Sequence, residues 1–166
     1  MIQVYTGDGK GKTTAALGLA LRAAGAGLKV YIAQFVKGKP CSEHNCLRKI
    51  KEIKIEQFGS CRFIKKVSQH DINLANSGLE AVKKALKSKK YNIVILDEIS
   101  YAINLDLINV NQVLKLIKSI DKKTELILTG RSAPESILKC ADLISEIREI
   151  KHYFKFGLKA RKGIEF

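Results

Sequence analysis

Ile2-Gln3-Val4-Tyr5-Thr6-Gly7-Asp8-Gly9-Lys10-Gly11-Lys12-Thr13-Thr14 passes from an apolar strand pattern through a glycine-dense turn into the alanine-rich helical stretch Thr13–Ala24. A loop of this kind between strand and helix lets successive backbone N–H groups turn toward phosphate oxygens, and the helix N-terminus adds its partial positive charge. Gly7, Gly9 and Gly11 supply the conformational freedom. Against the pattern G-x-x-x-x-G-K-[ST], Gly11-Lys12-Thr13 fits, while Thr6 stands at the first glycine position. The stretch predicts a nucleoside-triphosphate loop in which Thr6, Gly7, Asp8, Gly9, Lys10, Gly11, Lys12, Thr13 and Thr14 surround the phosphates. Lys12 neutralises phosphate charge there, and the Thr13 hydroxyl reaches a Mg²⁺ ion.

Outward from the loop, apolar runs alternate with helix-period stretches, the pattern of a parallel sheet covered on both faces. Strands are expected at Ile2–Tyr5, Lys29–Phe35, Ile53–Phe58, Ile93–Leu96, Glu125–Thr129 and Leu143–Ile147. Helix Thr13–Ala24 should end on Gly25 and Gly27 in left-handed conformation. Ala75, Leu79, Val82 and Leu86 share one face of Asp71–Ser88, and Val113, Leu114, Ile117 and Ile120 share one face of Val110–Ile120. Lys37–Arg48 reads as the mobile loop. The expected fold is α/β, one P-loop (RecA-like) domain over residues 1–166, with a mainly parallel sheet of about six strands flanked by helices.

Tyr91-Asn92-Ile93-Val94-Ile95-Leu96-Asp97-Glu98 is an apolar strand ending in two carboxylates, which places acid opposite Thr13 for a shared cation. Thr129-Gly130-Arg131-Ser132 follows another apolar strand, so Arg131 should emerge at the same carboxyl edge. Arg131 there contacts nucleotide, or else sits in a surface ion pair while Ser132 caps the Pro134 turn. His152 receives no acid–base role. Cys41-Ser42-Glu43-His44-Asn45-Cys46 gathers two thiols and an imidazole, but the spacing lacks a second ligand pair and reads as a solvated loop.

The chain has 166 residues, 46% of them hydrophobic, and a formal charge of +14. With neither a long apolar run nor a leader-like start, it is expected to be a cytoplasmic protein without membrane contact. Its four cysteines read as reduced thiols. The lysines are spread over several segments without interleaved aromatic residues, so nucleic acid is not the expected partner.

With these segments assembled, the chain resembles the P-loop-type ATP:corrinoid adenosyltransferases of cobalamin biosynthesis and salvage. The resemblance runs nearly end to end, through Val4 to Ala16, Gln34-Phe35-Val36-Lys37-Gly38, Leu96-Asp97-Glu98, Leu128-Thr129-Gly130-Arg131 and Gly157 to Phe166. Thr6 matches that family's own form of the loop. The resemblance implies transfer of the 5′-deoxyadenosyl group of ATP to the cobalt of a reduced corrinoid, with release of triphosphate. It implies Lys12 and Glu98 as catalytic groups, Thr13 and Glu98 holding Mg²⁺ (or Mn²⁺) with Asp97 in support, and ATP lying reversed in the loop. It also implies a homodimer and an electron-donor protein such as a flavodoxin. In Phe58-Gly59-Ser60-Cys61-Arg62-Phe63-Ile64, Phe63 is the candidate to displace the lower cobalt ligand, although relatives place a Trp in this region and this chain has none. Because the sequence opens on the first strand, the N-terminal extension that some relatives fold over the nucleotide is not expected here. The rival reading from the residues is a P-loop ATPase or kinase that cleaves the γ-phosphate.

Overall fold

A computed structural model describes residues 1–60, 64 and 66–166. Six strands form one all-parallel sheet: β1 (Ile2–Thr6), β2 (Val30–Phe35), β3 (Ile53–Phe58), β4 (Ile93–Asp97), β5 (Glu125–Thr129) and β6 (Leu143–Glu146). Their spatial order is β3-β2-β4-β5-β1-β6. Parallel pairing needs a crossover between successive strands, and the helical stretches supply it. These are α1 (Lys12–Gly25), α2 (Ser42–Leu47), α3 (Gln69–Lys87), α4 (Ile99–Asn104), α5 (Val110–Lys118) and α6 (Glu135–Leu138), followed by a 3₁₀ turn at Tyr153–Phe156.

Alternation along β2 divides the core into two layers. Val30 and Ile32 join Ala16, Leu17, Ala20 and Ala23 of α1 on one side, together with Leu47 of α2. Tyr31, Ala33 and Phe35 turn to the other side, against Ala75, Leu79 and Val82 of α3 and the residues of α4 to α6. β2 and β4 are buried along their whole length, which is why they read as unbroken apolar runs. β6 is exposed throughout at the sheet edge despite its apolar Leu143 and Ile144.

Helix ends explain how the crossovers stop. At the end of α1, Gly27 takes φ 77°, its N–H bonds to the Ala24 carbonyl, and the Leu28 N–H reaches the Ala23 carbonyl, a Schellman closure. Gly25 remains helical. On α3 the buried face is Ala75, Leu79, Val82 and Ala85, with Leu86 only partly covered. On α5 it is Val113, Leu116 and Ile117, so Leu114 and Ile120 lie at the margin of that face. The segment read as a solvated loop instead contains α2, whose His44 is fully buried.

Candidate nucleotide site

The carboxyl ends of β1, β2, β4 and β5 converge on the loop that joins β1 to α1. Gly11 takes φ 122° at the N-terminus of α1, a conformation that favours glycine, and aims the helix start at the loop interior. Gly7 also takes a positive φ, 97°, and at both Gly7 and Gly9 space is a further constraint. A Cβ on Gly7 would stand 2.4 Å from the Ile147 carbonyl oxygen, and one on Gly9 would stand 2.7 Å from the same atom. The backbone beyond β6 packs directly on the loop, and the Gly9 N–H donates to Ile147 O at 2.7 Å.

Thr6, the departure from the loop pattern, has a local use: its hydroxyl accepts from the Ala133 N–H at 3.2 Å and ties the loop to the segment after β5. Lys12 is buried and turns back along the loop, donating to the carbonyls of Gly7 at 2.6 Å and Gly9 at 2.7 Å. Burial pulls the Lys12 ammonium below its ordinary pKa, Glu98 raises it in part, and Arg131 adds to the lowering. Lys10 points outward instead, with its ammonium 2.6 Å from the Tyr153 hydroxyl and 2.9 Å from Glu165. Asp8 and Thr14 lie exposed at the loop's outer surface.

Asp97 is the hub of the site. It is fully buried at the end of β4, and its Oδ1 accepts from the Thr13 hydroxyl at 2.8 Å and the Thr129 hydroxyl at 2.7 Å. Its Oδ2 accepts from Gln34 Nε2 at 3.0 Å and Lys37 Nζ at 2.7 Å. Lys37 also reaches the Thr13 hydroxyl at 3.1 Å. Burial is the largest single influence on the Lys37 pKa and would lower it, but the Asp97 charge and hydrogen bond together with the Glu98 and Glu43 charges outweigh it, and the net shift is upward. Four donors thus converge on the two oxygens of one buried carboxylate.

Glu98 is placed differently. It starts α4 in left-handed conformation (φ 60°, ψ 25°), makes no side-chain cap bond, and its own N–H goes to the Thr129 hydroxyl at 2.9 Å. Burial pushes its carboxyl up, the Asp97 charge adds to this, and Lys37, Lys12 and Arg131 oppose it. Left-handed backbone at a non-glycine residue is uncommon and clusters at functional sites. Arg131 is exposed, with its carbonyl accepting from Asn104 Nδ2 at 3.1 Å. It is near enough to act electrostatically on both Lys12 and Glu98.

The structure thus brings Lys12, Thr13, Asp97, Glu98 and Arg131 to one edge and turns Lys10 away from it. Sequence reasoning assigned no site role to Gln34, Lys37, Thr129 or His44. Gln34 is a polar residue inside a completely buried strand, and that is the signal which marks it. The ligand atoms of Cys41, Glu43 and His44 lie within 4.8 Å of one another, but His44 Nδ1 faces the Cys41 backbone and Nε2 faces Gln34. Phe63 lies outside the described residues.

A glycine-rich strand-to-helix loop, set against strand-end carboxylates at the carboxyl edge of a parallel sheet, is consistent with the phosphate-loop class of α/β proteins. A family model described as ATP:corrinoid adenosyltransferase BtuR/CobO/CobP matches residues 1–166, and the chain belongs to that family. It is 35% identical over 168 residues to a corrinoid adenosyltransferase of Escherichia coli K12, covering all of this chain and 85% of that protein. A corrinoid adenosyltransferase CobA of Salmonella typhimurium is 35% identical over 170 residues, with the same coverage. One from a Sinorhizobium species is 33% identical over 177 residues, covering all of this chain and 80% of that protein.

Proposed function

We propose that this chain, as one domain over residues 1–166, transfers the 5′-deoxyadenosyl group of ATP to the cobalt of a reduced corrinoid and releases triphosphate. The observation that supports the site assignment is the Thr13–Asp97 hydrogen bond, which joins the loop hydroxyl to the strand-end carboxylates. Cobalt(I) is itself a strong nucleophile, so the protein need not supply one. It must hold C5′ in line with the metal and stabilise the charge that builds on the triphosphate as the C5′–O bond breaks.

In this reading Lys12 and the loop N–H groups bind the triphosphate, and Lys37 and Arg131 add positive charge at its edge. The described side chains offer hydroxyl and carboxylate oxygens, a hard donor set that fits Mg²⁺ or Mn²⁺. Thr13 and Glu98 would hold that ion with Asp97 behind them, and the ion would neutralise phosphate charge. Because the four donors to Asp97 occupy its oxygens, the freer Glu98 carboxylate is the better direct ligand. Phe63 keeps its proposed role beneath the corrinoid. A homodimer, an electron donor such as a flavodoxin and a cytoplasmic location complete the proposal. For the location, the free thiols of Cys41, Cys46 and Cys140 suit a reducing compartment. No described helix is long and apolar enough to cross a membrane.

The test is anaerobic incubation of the purified protein with ATP, Mg²⁺ and chemically reduced cobalamin, following the corrinoid spectrum and identifying the phosphate product. A light-sensitive alkylcobalamin spectrum together with triphosphate supports the proposal. An unchanged corrinoid with ADP accumulating overturns it in favour of γ-phosphate cleavage.

A further inference from the structure

Three fully buried polar side chains, His44, Gln34 and Asp97, form a line from α2 to the nucleotide site. His44 Nε2 is 2.8 Å from Gln34 Oε1, and Gln34 Nε2 is 3.0 Å from Asp97 Oδ2. The chemistry fixes every orientation along this line. Asp97 Oδ2 accepts from Lys37 Nζ and from its other neighbour alike, so the Gln34 amide nitrogen must face it and the amide oxygen must face His44. That amide oxygen only accepts, so His44 Nε2 must bear a proton. This holds whichever group of the Cys41 backbone pairs with Nδ1, the N–H at 2.9 Å or the carbonyl at 3.0 Å. The relay then continues through Asp97 Oδ1 to the Thr13 hydroxyl.

We propose that His44 is a positioning residue for the cation–nucleotide site: its Nε2–H holds the Gln34 amide in the one orientation that donates to Asp97, and so fixes the face that Asp97 presents to Thr13. Reversal of the Gln34 amide would set its oxygen against the buried Asp97 carboxylate, taking away one of that carboxylate's four donors and leaving the amide oxygen facing another acceptor, a costly arrangement in a low-dielectric interior. His44 prevents that reversal. The same ring also closes the start of α2 through Nδ1, so α2 and the carboxylate hub share one side chain. Groups that orient metal-binding residues from behind typically alter metal affinity by about 10- to 100-fold when changed.

The inference rests on the proposed role of Thr13, Asp97 and Glu98, and two variants separate it from a purely structural role for His44. His44→Asn reaches only the Nδ1 position, keeping the helix cap and removing the donor to Gln34. His44→Gln reaches the Nε2 position, keeping that donor and removing the cap. Mn²⁺ binding in the presence of ATP, followed by electron paramagnetic resonance without corrinoid, is the readout, alongside melting temperature. The relay predicts a Kd raised about tenfold or more in His44→Asn and within about twofold of the parent in His44→Gln. Parent-like binding by His44→Asn, or equal weakening in both variants, overturns it. Thr13→Ala is the control: if it binds Mn²⁺ and ATP like the parent, the reading of the loop fails and the relay falls with it. Loss in Thr13→Ala without loss in His44→Asn removes the relay alone.

Discussion

Lys37 forms its 2.7 Å ion pair with Asp97 from the position directly after Val36, a β-branched residue held at φ 61°. Such a backbone is unfavourable for valine and persists only where its surroundings enforce it. Here the enforcement is close backbone packing. A Cβ on Gly59 would stand 2.4 Å from the Lys37 amide nitrogen, and one on Gly38 would stand 2.4 Å from the Gly59 carbonyl oxygen. The ends of β2 and β3 therefore lock against each other and direct Lys37 onto the carboxylate hub.

Removing the Lys37 charge leaves Asp97 buried with one donor fewer. Lys37→Met should lower unfolding free energy by about 2 kcal/mol, less than a fully buried pair would because the lysine is partly exposed. Urea titration at neutral pH measures this, and an unchanged midpoint would show that Gln34, Thr13 and Thr129 satisfy Asp97 without it.

Gly59→Ala tests the lock itself. The added methyl meets backbone rather than a movable side chain, so a loss of about 1 to 3 kcal/mol is expected. ATP affinity should fall with it, because the strand end bearing Lys37 has to shift. Isothermal titration with ATP and Mg²⁺ provides the comparison.

Lys12→Ala removes two hydrogen bonds to loop carbonyls and, in the proposed function, the cation that meets the triphosphate. Turnover should drop by about a hundredfold or more, in line with losing one preorganised donor at a developing charge. The circular dichroism spectrum should stay that of the parent. Full activity in a folded variant would remove the loop from the mechanism.

Glu98 gives a dependence on pH with a definite sign. Its folded pKa is raised, so its stabilising contribution is present while it is protonated, below the unfolded value, and is lost as pH rises through the folded one. At about pH 7 the charged carboxylate therefore costs stability, while at about pH 3 it is neutral in both folded and unfolded chains. Glu98→Gln should raise the melting temperature at the higher pH, by about 2 to 4 °C, and leave it unchanged at the lower. Mg²⁺-dependent transfer should fall about tenfold or more in the same variant. Equal melting shifts at both pH values would contradict the assignment.

Strand positions were legible because buried parallel strands are apolar on both faces. Ile53–Phe58 and Glu125–Thr129 coincide with the expected limits, and the other strands differ by a residue at one end. What escaped was local. α2 spans only Ser42–Leu47, too short for a helical period to register, and a lone histidine there gives no sign that it is buried. α4 follows Glu98 with no capping residue to announce it. Within the site, Lys12, Thr13, Asp97 and Glu98 stood out through motif spacing. Gln34, Lys37 and Thr129 did not, since their meeting at Asp97 depends on which strands become neighbours, nor did His44, which reaches that carboxylate only through Gln34. The place of Lys10 in the loop motif says nothing of the Glu165 and Tyr153 groups with which it bonds.

The position of β1 in the sheet has a further consequence, for the order in which the molecule matures. β1 pairs only with β5 and β6, and the loop after it is shaped by the Ile147 carbonyl and by Ala133, the latter 127 residues away along the chain. A nascent chain emerging from the ribosome presents the loop first, yet two of the bonds that hold it wait until the last third has been made. Contacts of such long sequence separation form late. The loop therefore reaches its final form only at the close of synthesis, when its partners at Ala133 and Ile147 are in place.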